Sequence, residues 1–444
     1  IQVKDDVTGT YVPKTAYLDM IQVRRIENPK GVWRSAGKSD NFHVTLMRLP
    51  YDNAEDFKPF NSEGAWRATI IDGGDDFITL RSTVEGSGSD NVQQTGVKSI
   101  EGAGEHPIDF WIDFKGTIPE GATPRCAIVR VRYHNYTCEH DIFVRQGYAP
   151  ITINGNAESN NNPAWTSYNV YRFDANNAPV YTKSPLEEGS LFRRGNRTAI
   201  LASNNDRSGF TFGVEPTGSF NVLEFGSATT SQKTWSQLAP STDDVTNRFK
   251  EWSIAGDHER IATIEDFYTL ESTSIHSNIN KAYGVLYGDG ATETQKSVKE
   301  AFGYDHNEDP TNSKKGMRGC FVFNVNNSRN IFFPIGKSGY GRRKGMTSNG
   351  EKVGTLRYAQ RTDYYNNDGT GNIQYVPLFY DLFERPGAIY QCRNRLESTN
   401  NEVKNSSAFD INYFTMGFEG FENGASNNNN GSDSDACFIR TVKY

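Results

Sequence analysis

The chain has 444 residues, a length that favours two or three domains over a single one. Aromatic residues make up 12% of it, which excludes a wholly disordered chain, because disordered chains are poor in aromatic side chains. The net charge of −7 disfavours nucleic acid and anionic membranes as partners, and no stretch approaches the roughly 18 apolar residues of a membrane span.

The first third of the sequence alternates between apolar and polar residues with the period of two that is typical of half-buried strands. In Asp109–Lys115, the apolar residues Phe110, Ile112 and Phe114 alternate with polar ones, apart from Trp111 on the second face. Further strands are predicted at Phe42–Leu46, Trp66–Ile71 and Phe77–Ser82. Since no long helical pattern interrupts them, we expect a β-sandwich over residues 1–149.

A hairpin is predicted around a short polar loop at 134–137. The strand Cys126–Tyr133 carries four apolar residues on one face: Ala127, Val129, Val131 and Tyr133. A turn near 135–136 would place Cys138 opposite residues near 133 and Cys126 opposite residues near 145. This register argues against a Cys126–Cys138 disulfide.

The same hairpin offers groups that could bind zinc, namely His134, Cys138, Glu139 and His140. At a hairpin tip, however, such polar side chains ordinarily face water. The water-facing interpretation is therefore favoured over a zinc site.

A domain boundary is predicted near residue 150, where an Asn-rich, Gly/Pro-flanked run, Gly155–Pro163, begins the second part of the chain. Two short helices are predicted in this part, one opened by Thr263 and one by the capping box that starts at Thr292. Short apolar strands surround them, at Phe210–Val214, Cys320–Asn324, Ile331–Pro334, Ile411–Phe418 and Cys437–Val442. We expect an α+β domain over residues 150–444.

The segment Gly420–Asp435 is rich in Asn, Gly, Ser and Asp and is predicted to be a long exposed loop. Asp433 and Asp435, with Asn427–Asn430 nearby, supply the oxygen ligands that Ca²⁺ prefers. A solvated loop is the favoured interpretation, so no cofactor is expected and calcium is the alternative.

The five cysteines are Cys126, Cys138, Cys320, Cys392 and Cys437, with no CxxC pair among them. This odd, low number indicates neither a disulfide scaffold nor a zinc ribbon. The chain begins at Ile1 without a signal-peptide pattern, as expected of a processed protein from which a leader or lipid anchor has been removed.

The N-terminal region resembles the BACON family of small immunoglobulin-like domains. The resemblance rests on Trp66–Ala68, Asp76–Leu80, Arg125–Val131 and the closing strand Ile142–Gln146. It covers about half of residues 1–149 and implies an immunoglobulin-like β-sandwich.

The second region resembles the C-type-lectin-like fold of the sulfatase-modifying-factor and "major paralogous" families. The matching segments are Arg260–Phe267, Ile331–Gly336 with the corner Gly339–Arg342, and the closing strand Cys437–Val442. Three further segments resemble fimbria-associated surface proteins of Bacteroidales-type bacteria: Lys281–Gly288, Pro377–Phe383 and Arg385–Tyr390. Together these resemblances span most of residues 150–444.

These resemblances imply a non-enzymatic cell-surface adhesin, the tip subunit of a fimbria, in the outer membrane or outside the cell. Its partners would be other fimbrial subunits and a glycan or host protein ligand. One alternative is a glycan-capture surface lipoprotein. Another is a sulfatase-modifying-factor-like enzyme, whose paired late cysteines would have to be Cys392 and Cys437; a Cys392–Cys437 disulfide is also open.

The ligand is expected to bind at the loops 340–375 and 420–435 of the second domain. The candidate residues combine aromatic faces for stacking with polar groups for hydrogen bonding: Tyr340, Arg342, Tyr364, Tyr365 and Asn372. No Walker A loop, nucleophile elbow or catalytic triad can be assigned from residue spacing.

Overall fold

The structure is a computed structural model. It describes residues 2–4, 7–13, 28–48, 58–59, 61–74, 76–82, 94–193, 196–202, 218–238, 254, 258–270, 278–289, 316–334, 387–393, 406–412, 416–420 and 436–444. The described residues are mostly β, as the alternating patterns predict. They fall into two compact units, of which the first holds residues of 1–149, 282–306 and 310–331, and the second holds most of the remainder.

Among the residues that the structure describes, thirteen strands precede residue 150. They are β1 Gln2–Lys4, β2 Tyr11–Pro13, β3 Pro29–Arg34, β4 Phe42–Thr45, β5 Met47–Arg48, β6 Lys58–Pro59, β7 Trp66–Asp72, β8 Ile78–Ser82, β9 Thr95–Val97, β10 Ser99–Gly102, β11 Asp109–Phe114, β12 Arg125–Tyr133 and β13 Cys138–Gln146.

After residue 150, the described part of the chain contains sixteen strands and two short helices. The strands are β14 Ala164–Trp165, β15 Val170–Phe173, β16 Pro179–Tyr181, β17 Ser190–Arg193, β18 Ala199–Leu201, β19 Ser219–Leu223, β20 Thr230–Thr234, β21 Glu259–Ile261, β22 Ile279–Tyr287, β23 Met317–Asn324, β24 Asn330–Pro334, β25 Gly387–Gln391, β26 Ser406–Asn412, β27 Met416–Gly420, β28 Ala436–Cys437 and β29 Thr441–Lys443. The helices are a 3-10 turn, Ser236–Leu238, and the α-helix α1, Ile264–Tyr268.

The first unit is a sandwich of two sheets. One sheet has the strand order β10-β7-β12-β13-β3-β22-β23-β24 and the other β4-β11-β8-β9. Their inner faces meet in one apolar core, to which Trp66 and Val129 come from the first sheet and Phe42 and Phe110 from the second. The alternating pattern decides this arrangement, because residues two apart in a strand share a face and are buried together.

The predicted hairpin is confirmed in its register. Strands β12 and β13 pair with Tyr133 opposite Cys138 and Cys126 opposite Arg145. The two thiols therefore lie at opposite ends of the hairpin and form no disulfide with each other, as the register predicted.

The first unit also includes residues that lie far beyond the domain boundary predicted near residue 150. Residues of 282–331, assigned from sequence to the second domain, belong to the first unit because β22 pairs in parallel with β3, with Leu286 opposite Gly31. A glycine is required at 31, since a Cβ there would lie 2.4 Å from the ring of Phe321. Parallel pairing between such distant segments leaves no local pattern in the sequence.

The second unit contains a five-stranded sheet with the order β20-β19-β18-β17-β28 and two three-stranded sheets, β14-β29-β21 and β25-β26-β27. An apolar cluster joins strands from several of these sheets, with Phe173, Phe192, Ile261 and Ile439 among its buried members. Within the described ranges, no helix is long and apolar enough to cross a membrane.

The helix predicted after Thr263 is confirmed as α1. The hydroxyl of Thr263 accepts from the backbone N–H of Asp266, while the Asp266 carboxylate accepts from the backbone N–H of Thr263 at 2.7 Å. This reciprocal capping box satisfies two donors that a helix start otherwise leaves free. The helix predicted at Thr292 and the strand Phe210–Val214 lie outside the described residues.

Two apolar segments near the C-terminus, each predicted as one strand, contain two strands instead. Ile411–Phe418 spans parts of β26 and β27, which pair antiparallel with Ile411 opposite Met416. Cys437–Val442 joins the end of β28 to the start of β29. Periodicity identifies extended residues but does not show where the chain changes partner.

Candidate functional site

The residues predicted to bind the ligand lie in two segments outside the described residues. Tyr340, Arg342, Tyr364, Tyr365 and Asn372 fall within 335–386. Asp433 and Asp435, the calcium alternative, fall within 421–435. The structure describes the strands that flank both segments, and the flanking residues, including Phe332–Pro334 at the end of β24, belong to the second unit.

Two of the strands that flank these segments, β25 and β28, are in contact. Strand β24 ends at Pro334, before the first segment, and β25 begins at Gly387, after it; β28 begins at Ala436, after the second. Tyr390 of β25 forms a bridge with Phe438, the residue that follows β28, and the backbone N–H of Gln391 donates to the carbonyl of Phe438 at 2.8 Å. The sheet β25-β26-β27 also carries Gly420, the last residue before the second segment. The two predicted ligand segments therefore start or end on strands that are in direct contact.

Tyr390 lies at the centre of this junction. Its side chain is fully buried, and its hydroxyl accepts from Nδ2 of Asn169 at 3.2 Å and donates to the carbonyl of Pro334 at 3.5 Å. Its ring packs against those of Phe333 and Phe438, with centroid distances of 5.2 and 5.7 Å. One side chain thus joins residues next to both predicted segments.

Burial raises the pKa of Tyr390 above its ordinary value, while nearby Arg440 acts in the opposite direction. The phenol is therefore neutral at physiological pH and serves as a hydrogen-bonding group of the interior.

Arg440, which directly precedes the last strand of the chain, β29, also belongs to this junction. It is 0% exposed, and its guanidinium donates to the carbonyl of Thr166 at 2.8 Å, to Oδ1 of Asn169 at 2.8 Å and to the carbonyl of Phe332 at 3.0 Å. It also lies 4.9 Å from the ring centroid of Phe333. Burial lowers the pKa of Arg440, and its acceptors are neutral oxygens rather than carboxylates.

Asn169 links the two buried groups. Its Oδ1 accepts from Arg440, and its Nδ2 donates both to Tyr390 and, at 2.6 Å, to the carbonyl of Glu188. We call Asn169, Tyr390 and Arg440 the anchor cluster. Because all three side chains are buried, they can hold the flanking strands in place but cannot contact a ligand.

One member of the anchor cluster, Arg440, can be recognised from the sequence as a buried charge. Arg440 stands within the apolar run Cys437–Val442, and a charged residue in a buried strand needs internal acceptors. Asn169 gave no such signal, because its partners Tyr390 and Arg440 lie 221 and 271 residues away.

None of the five cysteines, all of which the structure describes, is in a disulfide, so the Cys392–Cys437 disulfide left open by the sequence is absent. Cys392 and Cys437 are 1% and 0% exposed, and Cys320 is also buried. Burial raises the pKa of Cys126 in the first unit. The thiols needed by the enzyme alternative are thus enclosed in the interior of the second unit.

The potential zinc ligands of the first hairpin do not converge. Nδ1 of His134 accepts from the backbone N–H of Glu63 at 2.8 Å, and Nε2 of His140 lies 2.8 Å from the carbonyl oxygen of Pro29. Glu139 forms an ion pair with Arg132 at 3.0 Å. Across the described parts of the chain, no three His, Cys, Asp or Glu residues group as metal ligands.

Comparison with known proteins names no family. No protein-family profile matches the chain, and no curated protein matches its sequence. Among solved structures, surface layer protein SbsC, domains 4–9, is 10% identical with a TM-score of 0.15. That similarity covers 97% of this chain, which spans half the length of the other, and the TM-score is too low to show a shared fold.

Proposed function

We propose that the protein is a non-enzymatic cell-surface adhesin, the tip subunit of a fimbria, that binds a glycan or protein ligand through its second domain. The observation that supports this proposal is the anchor cluster, which holds together strands that flank both predicted ligand segments. Binding residues are commonly carried by loops on a rigid scaffold, and this junction supplies such a scaffold.

The proposed domains are an immunoglobulin-like sandwich at the N-terminus and a C-type-lectin-like α+β domain after residue 150. The two facing sheets of the first unit support the former. For the latter, the support is α1 with its capping box together with several short strands, which is the element content that the resemblance implies.

Ligand binding is assigned to Tyr340, Tyr364, Tyr365, Asn372 and Arg342. Tyrosine offers a flat apolar ring with a polar hydroxyl, while the Asn amide and the Arg guanidinium supply hydrogen-bond donors, so the set suits a hydroxyl-rich ligand. Binding is proposed to need no cofactor; a calcium-dependent mode would use Asp433 and Asp435.

The test is binding of the purified full chain to an array of mammalian glycans and immobilised extracellular-matrix proteins. Replacing Tyr364→Ala and Tyr365→Ala together is expected to weaken binding at least ten-fold. Tyr171→Ala is the matched control, because Tyr171 is a 36% exposed tyrosine of the same unit that lies outside both segments. If the double variant binds as tightly as the unmodified chain, the site assignment is wrong.

The same array decides the role of calcium. Binding that persists in excess chelator supports the cofactor-free proposal. Binding that is lost in chelator and also lost on Asp433→Asn with Asp435→Asn would replace it with the calcium-dependent mode.

A further inference from the structure

Asn154 and Gly155 form an exposed turn near the start of the second unit. Oδ1 of Asn154 accepts a hydrogen bond from the backbone N–H of Asn156 at 3.0 Å. Thr152 closes the same turn, because its hydroxyl donates to the carbonyl of Asn156 at 2.7 Å. An Asn side chain that accepts from the N–H two residues later makes an Asx turn, which folds its carboxamide back over the intervening peptide. We call residues 152–156 the Asx loop.

The carboxamide of Asn154 therefore lies beside the backbone nitrogen of Gly155. Glycine carries no side chain to shield that nitrogen, and its φ of 83° lies in the left-handed region that glycine adopts without strain. The Gly155 N–H is held only weakly, since its hydrogen bond to the carbonyl of Thr152 is 3.4 Å long. A nucleophile and Cγ of Asn154 are thus placed next to each other, and such proximity accelerates a reaction within one chain.

The hydrogen bond from Asn156 also acts on the charge that this reaction creates. When the Gly155 nitrogen attacks Cγ of Asn154, negative charge develops on Oδ1. That oxygen already accepts from the Asn156 N–H, so a donor is in place to stabilise the tetrahedral intermediate as an oxyanion hole does. The Asx loop therefore combines a nucleophile, an electrophilic carbon and a stabilising donor.

We propose that Asn154 is a site of spontaneous deamidation. The Gly155 nitrogen gives up its proton and bonds to Cγ of Asn154, the Cγ–Nδ2 bond breaks, and ammonia leaves with that proton. The product is a cyclic imide. Water then opens the imide at one of its two carbonyl carbons, which yields an aspartyl or an isoaspartyl residue at 154. In sum, the reaction consumes water and releases ammonia without any oxidant or reductant, and the chain gains a carboxylate.

Other asparagines provide internal controls, because they make the same hydrogen bond to the N–H two residues later. These are Asn196, Asn324 and Asn327, with distances of 2.8, 2.9 and 3.0 Å. The residue after each of them is Arg, Val or Ser, whose side chain shields the attacking nitrogen. Asn324 is also only 5% exposed, which restricts access of the water that the reaction consumes. The same Asx turn should therefore be stable at these positions and reactive at Asn154.

The two products should affect the fold differently. An isoaspartyl residue lengthens the backbone by one carbon, whereas an aspartyl residue keeps its length. Just before the Asx loop, Ile151 bridges Trp165 through backbone hydrogen bonds of 3.0 and 2.9 Å, and the longer backbone should loosen this bridge. Hydrogen exchange at the Ile151 and Trp165 amides should be faster in isoaspartyl chains, and equal exchange would contradict this effect. The site lies outside both predicted ligand segments and does not depend on the proposed function.

The experiment is incubation of the purified full chain at body temperature and neutral pH in water enriched in the heavy oxygen isotope, followed by peptide mass spectrometry. The isotope distinguishes deamidation during incubation from deamidation during digestion in ordinary water. We expect heavy oxygen at Asn154, in both an aspartyl and an isoaspartyl product, at a rate at least about ten-fold above that of the control asparagines. Asn154→Gln should remove this signal, because a glutamine would have to close a larger ring.

A second incubation in guanidinium chloride separates the effect of the folded turn from that of the Asn-Gly sequence. Because the turn holds the reacting groups and the donor together, Asn154 should react in the native chain at least as fast as in the unfolded chain. The control asparagines should react more slowly in the native chain than in the unfolded one. Slower reaction of Asn154 in the native chain, equal native rates at Asn154 and a control asparagine, or a signal that persists in Asn154→Gln would each overturn the proposal.

Discussion

Arg145 in the first unit and Arg440 in the second are both fully buried near the end of their region, Arg145 in β13 and Arg440 directly before β29, but their acceptors differ in origin. Arg145 donates to the carbonyls of Gly147 and Ala149, two and four residues away, and to that of Asn330. Arg440 donates to Asn169, Thr166 and Phe332, which all lie more than 100 residues away in sequence.

The two buried arginines therefore stabilise the protein in different ways. Arg145 stabilises the turn that follows its own strand and packs on Trp33, with its Cζ 4.4 Å from the ring centroid. Arg440 joins segments of the second unit that are far apart in sequence. No turn next to Arg440 in sequence supplies its acceptors, in contrast to Arg145. We therefore expect the second unit to depend more on its arginine than the first does.

The largest effect is expected for Arg440→Met. The change leaves three buried acceptors without donors, each costing roughly 1–3 kcal/mol, so the second unit should lose about 4 kcal/mol of unfolding free energy. Urea unfolding followed by hydrogen exchange, which assigns the loss to residues of one unit, checks this. A loss below about 1 kcal/mol would show that Arg440 does not stabilise the second unit by joining distant segments.

Arg145→Met should cost less, about 3 kcal/mol, because two of its acceptors lie in a turn that can shift toward water. Hydrogen exchange should place this loss in the first unit. If Arg145→Met proved more damaging than Arg440→Met, the contrast between local and long-range use would be wrong.

Asp266→Asn tests the start of α1 in the second unit. The Asp266 carboxylate caps the helix and pairs with Arg260 at 2.9 Å, and its loss should cost about 2 kcal/mol. Thermal unfolding of this variant beside Thr263→Ala, which removes only the other half of the capping box, separates the ion pair from the cap. Equal shifts for the two variants would assign the whole effect to the cap.

The smallest effect is expected for Tyr390→Phe, about 1 kcal/mol at neutral pH, because the two hydrogen bonds that its hydroxyl makes are long, at 3.2 and 3.5 Å. Because burial raises the pKa of Tyr390, the unfolded chain releases the phenolic proton at lower pH than the folded one. Stability of the second unit should therefore fall as pH rises past about 10, and Tyr390→Phe should reduce that fall. Unfolding free energies of both proteins between pH 8 and pH 11, on the order of one measurement per half unit, decide whether the slopes differ.

The parts of the fold that depend on local sequence patterns were predictable from the sequence. The register of β12 and β13 followed from alternation and a short loop, and α1 followed from the spacing of Thr263 and Asp266. The parallel pairing of β22 with β3 could not be predicted, since strands so far apart leave no mark on each other's local pattern.

The anchor cluster beside the candidate site was only partly predictable, because a local sequence pattern points to one of its three members. Arg440 in an apolar run indicated a buried charge, but its acceptor Asn169 and their common neighbour Tyr390 are brought together only by tertiary structure. The ligand-binding residues themselves remain predictions from residue type.

Immunogold electron microscopy of the cells that make the protein, with antibody against residues 150–444, tests the adhesin proposal most directly. Gold is expected at the ends of surface filaments. Gold spread over the cell surface without filaments, or gold inside the cells, would contradict a fimbrial tip subunit, and the former pattern would favour a glycan-capture lipoprotein.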